Sequence, residues 1–146
     1  MATYNKFFNF VEDLCKAVHD FQAAGDVMKI YLSNDTPAQT DTIKSTGPAE
    51  ISAGGGYTAG GEDTQNTLAE TGGTATVQGT KVVWTGTGAG FGPFRYVVWY
   101  NDTSTSPADP LISWWDYGTP VSIAVSETFS VKFNASETAG NIFTLS

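Results

Sequence analysis

Residues 121–134 read VSIAVSETFSVKFN, in which apolar side chains alternate with small or polar ones on both sides of a short polar turn. A period of two residues is typical of a β-strand that buries one face and exposes the other to water. The stretch therefore predicts two strands and a mainly β fold. The residues predicted to face the core are Val121, Ile123, Val125, Phe129, Val131 and Phe133.

Further short segments on both sides of this stretch are also typical of strands, and turns rich in Gly, Pro, Asn and Asp separate nearly all of them. Seven or eight short strands at such spacing predict an antiparallel β-sandwich, with a jelly-roll-like arrangement as the candidate that best fits the size. The predicted strands are residues 27–32, 74–78, 80–85, 94–100, 111–116, 121–125, 128–134 and 142–145.

One α-helix is predicted near the N-terminus, over residues 4–24. Its apolar residues recur at spacings of four and three, as on one face of a helix, and Gly25 is placed to end it. Docking of this helix onto the sheet is favoured over a coiled coil, because phenylalanines pack poorly in a coiled-coil seam. The stripe consists of Phe7, Val11, Leu14, Val18 and Phe21.

The 146 residues fit one domain, which covers residues 1–146. Within it, residues 74–146 form the predicted main β body. Residues 38–73 are rich in Gly and Thr and predict a long surface excursion, with short extended pieces near Ile43 and Ile51. An excursion of this length in a compact domain is more often functional or interfacial than idle.

The chain is acidic, with seven Lys and Arg against fifteen Asp and Glu and a formal charge of −8. Its cations are scattered singly, so no basic stripe for nucleic acid is predicted. Neither an apolar run long enough to span a membrane nor a signal-peptide pattern occurs. The sequence thus predicts synthesis in the cytoplasm, with neither nucleic acid nor membrane as a partner.

Candidate catalytic and metal-binding groups are few. His19 is the single histidine and Cys15 the single cysteine, so one Cys–His pair on a helical face is conceivable. The favoured interpretation is that Cys15 is a small core residue and His19 lies at the helix edge. Glu62 and Asp63 are interpreted as solvated loop acids in preference to a calcium site. The sequence therefore predicts no enzymatic activity, no catalytic residue, no metal site and no cofactor.

Aromatic residues concentrate between residues 91 and 117. Because adjacent strand residues point to opposite faces, Trp114 and Trp115 do not both enter one core. One of them is expected at an interface, at a ligand surface or beneath a covering loop. A second core layer under the N-terminal helix is an equally weighted alternative.

Arg95 is the single arginine and lies among these aromatics. Its planar guanidinium is suited to a bidentate pair with Asp102, Asp109 or Asp116, within one subunit or across an interface. An ordinary strand cation facing water is the competing interpretation.

Four stretches carry a resemblance to known proteins: TYNKF at residues 3–7, GYTAGG at 56–61, GPFRYVVWYND at 92–102 and PLISWWDYG at 110–118. As a set, they resemble a group of small virion proteins of tailed bacteriophages. The resemblance implies a capsid decoration or cement protein that binds the major capsid lattice and stabilises the head. It also implies a homo-oligomer, with a trimer favoured, on the outer capsid surface of the virion.

Two other functions remain open from the sequence: a tail or head–tail completion protein, and a carbohydrate-binding β-sandwich that uses Trp114, Trp115 or Tyr117 to adsorb to host glycans. For the capsid decoration role, contacts are expected at the aromatic segment 91–117 and at the Gly-rich loop 53–61. The candidate interface residues are Phe91, Phe94, Arg95, Trp99, Trp114, Trp115, Tyr117 and Tyr57.

Overall fold

The computed structural model describes residues 2–134 and 139–146, so residues 135–138 of the predicted β body lie outside it. The chain is 48% strand and 5% helix, which confirms the mainly β class with one short helix. Its elements are β1 (Thr3–Lys6), α1 (Asn9–Cys15), β2 (Met28–Ser33), β3 (Glu62–Asp63), β4 (Thr67–Thr71), β5 (Thr74–Gly79), β6 (Val82–Thr85), β7 (Phe91–Asn101), β8 (Leu111–Ile123), β9 (Thr128–Val131) and β10 (Gly140–Leu145).

The strands form three antiparallel sheets, consistent with a β-sandwich. The largest sheet has five strands in the order β1-β8-β7-β2-β3 and is built around the long β7–β8 hairpin. The other two sheets have the orders β10-β5-β4 and β6-β9. Apolar residues of both smaller sheets belong to one core cluster with β2 and β7, which identifies them as the second layer.

Strand β8 continues through the turn that Gly118 and Pro120 predict. The register with β7 shifts there, because Tyr96 lies opposite Asp116 whereas Phe94 lies opposite Val121. Residues 117–120 therefore form a large bulge, and Gly118 adopts a φ of 100°, a conformation open to glycine. The predicted strand 121–125 is the end of β8, and Val125 lies beyond it, 58% exposed.

The five-stranded sheet is buried on both faces. On one face Met28, Ile30 and Trp99 pack into the core shared with the second layer. On the other face lies a smaller cluster that contains Phe7, Tyr31, Val98, Tyr100 and Trp114, among others. This double burial explains why β2 and β7 read as nearly continuous apolar runs.

The predicted helix over residues 4–24 is wrong in extent. Residues 3–6 are strand β1, and α1 ends at Cys15, far short of Gly25. Strand pairing with β8 outweighs helix propensity at the start of the chain, and Phe7 and Phe21 reach the interior from outside the helix. Val11 of the predicted buried stripe is 46% exposed. In the described part of the chain no helix is long and apolar enough to cross a membrane.

The excursion lies against the second face of the large sheet, and residues 34–61 are called the covering segment here. The Tyr31 hydroxyl donates to the carbonyl of Pro48 at 2.9 Å, and the Tyr100 hydroxyl donates to that of Gly60 at 2.9 Å. The extended pieces predicted near Ile43 and Ile51 pair with Pro110 and Leu32. The first part of the excursion therefore covers Tyr31 and Tyr100. Its last part forms strands β3 and β4, which the sequence does not predict.

Glu50 is the main polar anchor within the covering segment. Its carboxylate accepts hydrogen bonds from Lys44 Nζ at 2.7 Å, from the Tyr57 hydroxyl at 2.7 Å and from the Gly60 N–H at 2.6 Å. The Tyr57 hydroxyl in turn lies 3.1 Å from the N–H of Leu32, which donates to it. Glu50 thus joins Lys44 to the end of the covering segment, which Tyr57 links to strand β2.

Candidate functional site

Five of the eight candidate interface residues lie in the interior, which corrects the expectation that they form contacts with a partner. Four of the rings lie on β7 and β8, in the large sheet that is covered on both faces, and the fifth reaches the core from the covering segment. Trp99 also donates from Nε1 to the Thr64 hydroxyl at 3.2 Å. The buried candidates are Phe91, Phe94, Trp99, Trp114 and Tyr57, with exposed fractions of 7% or less.

The adjacent tryptophans point to opposite faces, as expected. Trp114 packs against Phe7, with ring centroids 4.5 Å apart, in the cluster beneath the covering segment. Trp115 lies on the other face and is only partly buried. Trp114 is therefore buried, and Trp115 is the tryptophan near the surface.

Arg95 pairs with Asp116 within the chain, which confirms one of the three predicted acids. Its Nε and Nη2 atoms donate to the two carboxylate oxygens at 2.7 and 2.8 Å. The N–H of Gly118 also donates to Asp116, at 2.7 Å. The hydrogen bonds from Arg95 hold the pKa of Asp116 below its usual range. This pair fixes the base of the β8 bulge, and Tyr117 at the start of the bulge is 56% exposed.

Beside the bulge lies a surface groove of about 470 Å³, called the aromatic groove here. Its volume is within the usual range of ligand pockets. It runs between β1 and β8 on one side and β9 and β10 on the other, where the two layers of the sandwich meet at their edges. It is lined by Ala2, Tyr4, Val97, Trp115, Tyr117, Phe129, Ser130, Val131, Lys132, Phe133, Asn141 and Ile142.

The walls of the aromatic groove are rings in contact with one another. Trp115 meets Tyr4 and Phe133 with ring centroids 5.7 Å apart in each case, and Tyr117 meets Phe129 edge-on at 5.9 Å. Burial raises the pKa of the Tyr4 hydroxyl, which therefore stays neutral. The groove thus presents apolar ring surface with a few polar groups at its rim, an arrangement suited to an apolar side chain or the face of a sugar.

Several groove residues were not among the sequence candidates. The sequence predicts Tyr4 in the helix and Phe129 and Phe133 in the core. The alternation of apolar and polar residues shows that Phe129 and Phe133 lie on the same face of the strand. No local pattern shows that the core is open to solvent there, between the edges of two sheets. The groove depends on the pairing of β1 with β8. Because the sequence predicts a helix over residues 4–24, it does not predict this pairing or the groove beside it.

Cys15 and His19 are not arranged as a nucleophile and base. The helix ends at Cys15, whose side chain is exposed, whereas the side chain of His19 is fully buried. The favoured placement, with Cys15 in the core and His19 at a helix edge, is therefore reversed. Among residues 2–134 and 139–146, no group of three or more His, Cys, Asp and Glu side chains is arranged to hold a metal ion.

His19 lies in a buried polar cluster at the end of the large sheet. Its Nδ1 is 3.1 Å from the Asn101 amide nitrogen. Nε2 is 4.0 Å from a carboxylate oxygen of Asp13. Burial lowers the pKa of His19 to about 4, although the negative charge of Asp26 opposes this shift.

Acidification is expected to destabilise the chain through His19. The unfolded His19 takes up a proton near pH 6.5 and the folded one near pH 4, so its stabilisation is present above pH 6.5 and is lost progressively towards pH 4. The expected loss from this residue is about 3 kcal/mol at pH 4. Asp13, whose pKa burial raises, acts in the opposite sense.

Urea unfolding at several pH values between 7 and 4 checks this, with His19→Phe as the comparison. Phenylalanine keeps the ring packing against Phe10 and Phe21. The variant should lose less stability over this range than the parent chain. Equal pH dependence in the two proteins would show that His19 does not carry the effect.

Comparison of the chain with models of known protein families, with curated proteins and with solved structures finds no match. No relative or structural neighbour therefore suggests a ligand or partner for the aromatic groove.

Proposed function

We propose that the chain is a virion structural protein of a tailed bacteriophage: a capsid decoration protein that binds the major capsid lattice and stabilises the head. The observation that carries the proposal is the aromatic groove beside the β8 bulge. There Tyr117 is 56% exposed on a base fixed by Arg95 and Asp116. A half-exposed ring on a rigid support is the type of group that dominates the energy of protein interfaces.

The sequence and its charge give further support. The four stretches that resemble phage virion proteins include residues 110–118, which hold Trp115, Asp116 and Tyr117. A formal charge of −8 favours solubility before assembly and disfavours contact with packaged DNA. The proposed partners are the major capsid protein and further copies of this chain, with a trimer favoured, and the proposed location is the outer capsid surface.

The number and position of copies test this role against its nearest alternative. Quantitative mass spectrometry and electron microscopy of phage particles that contain the chain give both quantities. Hundreds of copies spread over the head are expected for a decoration protein. A few dozen copies at the vertex or along the tail would instead identify a tail or head–tail completion protein.

Tyr117→Ala tests the proposed contact surface. We expect this variant to bind heads that lack the chain about tenfold or more weakly than the parent, as for an interface hot spot. The unfolding free energy should change by less than about 1 kcal/mol, because the ring is largely exposed. Cosedimentation with purified heads measures the binding.

Phe8→Ala is the matched control, because Phe8 is 57% exposed and lies outside the aromatic groove. Binding by this variant should equal that of the parent chain. If Phe8→Ala abolished binding and Tyr117→Ala did not, the contact would lie near α1 and the proposed surface would be wrong.

A carbohydrate-binding role is the second candidate, and the ring-lined groove is the observation that favours it. The faces of Trp115 and Tyr117 are suited to stacking on sugar rings, with Asn141 as a polar group at the rim. Trp114 is 7% exposed and does not fit this role. Binding to a glycan array that disappears in Trp115→Ala would favour adsorption to host glycans over decoration.

A further inference from the structure

Strand β1 is an edge of the large sheet. Among the described residues it pairs with β8 alone, with Tyr4 opposite Trp115 and Lys6 opposite Ser113. The N–H of Phe7 donates to Ile112 on the β8 side. Because alternate residues of an antiparallel strand bond to the same neighbour, the backbone groups of Tyr4 and Lys6 point away from β8, towards the open edge.

The open part of this edge is short. The next backbone group on the same side, the N–H of Phe8, already donates to the carbonyl of Gln39 at 2.9 Å. The covering segment therefore closes the edge beyond Lys6. The backbone N–H and C=O groups of Tyr4 and Lys6 remain available, which is enough to pair with a few residues of another chain.

The same edge borders the aromatic groove. Tyr4 contributes both an outward backbone and a ring that forms one wall of the groove with Trp115. A strand added beside β1 would point every second side chain to the face on which the groove lies. Edge and groove together thus supply the two parts of strand addition: backbone hydrogen bonds for affinity and a side-chain pocket for specificity.

We propose that an extended segment of a partner protein adds to β1 as a sixth strand of the large sheet and places an apolar side chain in the aromatic groove. This inference rests on the proposed function, because it identifies the partner as a neighbouring subunit of the particle. It specifies how the contact is made.

Charge indicates the composition of this segment. Lys6 is exposed and lies on the same face of β1 as Tyr4, two residues along. The partner segment therefore carries an apolar residue and, two residues from it, a carboxylate that faces Lys6. A second copy of β1 fits poorly, since residues 3–6 contain no carboxylate to face Lys6.

Lys6→Pro tests the inference, with Lys6→Ala as its control. Proline at this position removes the outward N–H and leaves the hydrogen bonds to β8 in place. Edge strands tolerate proline where the N–H points away from the sheet. Alanine removes the same charge and keeps the N–H. The probe is the purified phage head that lacks the chain, and binding is measured by cosedimentation, with urea unfolding as the check on folding.

We expect Lys6→Ala to bind a few-fold more weakly than the parent chain and Lys6→Pro about tenfold more weakly still. Equal binding by the two folded variants would overturn strand addition and leave the decoration role intact. Failure of the parent chain itself to bind heads would overturn both the role and this inference.

Hydrogen exchange supplies a second measurement, which also holds if Lys6→Pro does not fold. In the bound parent chain the amides of Tyr4 and Lys6 should exchange at least about tenfold more slowly than in the free chain. Unchanged exchange at both amides in bound protein would overturn strand addition.

Discussion

Replacing Asn101 by alanine is expected to lower the free energy of unfolding by about 4 kcal/mol, because buried polar groups lose their partners. The Asn101 side chain lies at the centre of the buried cluster and is 0% exposed. Its amide nitrogen donates to Asp26 at 2.7 Å and its oxygen accepts from the N–H groups of Thr103 and Ser104 at 2.9 and 3.0 Å. One side chain thus joins the end of β7, the loop after it and the segment after α1.

Equilibrium urea unfolding measures this loss, and Asn34→Ala is the control. Asn34 is exposed, so its variant should remain within about 0.5 kcal/mol of the parent chain. Asn101→Asp distinguishes the contribution of the side-chain oxygen from that of the nitrogen, since it keeps the acceptor for Thr103 and Ser104 and loses the donor to Asp26. A loss below about 1 kcal/mol in Asn101→Ala would contradict the central role of the side chain.

The second large effect is expected at Glu50, where alanine should lower the free energy of unfolding by about 3 kcal/mol. The substitution removes the acceptor for Tyr57 and Gly60 and leaves Lys44 unpaired between tyrosine rings. The covering segment should loosen first. Hydrogen exchange should therefore speed up at Gly60 more than at the centre of β7.

Glu50→Gln is the comparison for this variant. It keeps an acceptor for the Tyr57 hydroxyl and loses the charge that faces Lys44. Its stability should lie between those of the parent chain and Glu50→Ala. If both substitutions left the unfolding free energy within 0.5 kcal/mol of the parent, the covering segment would be held by its apolar contacts instead.

The sequence predicts the strands of the interior well, for a physical reason. The β7–β8 hairpin is rich in β-branched and aromatic residues and β2 is mostly apolar, so their composition identifies them as strands. The helix over residues 4–24 fails because its apolar stripe is equally compatible with Phe7 and Phe21 reaching the core from the end of β1 and from the segment after α1. Only the pairing of β1 with β8, a tertiary effect, distinguishes the two.

The candidate site was partly predictable. Bidentate geometry limits Arg95 to a few acids, and one of them, Asp116, is the partner. The prediction of aromatic contacts was wrong for Trp99 and Trp114, because sequence periodicity does not show which face of a sheet another segment covers. The covering segment is poor in large apolar residues, so nothing in its composition shows that it shields a row of tyrosines.

The position of β1 also affects how the chain is made. Its partner residues in β8 follow it by more than a hundred residues, so the two strands meet only after β8 has left the ribosome. Until then Tyr4 and Phe7 have no sheet to join. Completion of the large sheet is therefore a late event in biosynthesis, and the N-terminal strand should be the part of the sheet most accessible to chaperones on the nascent chain.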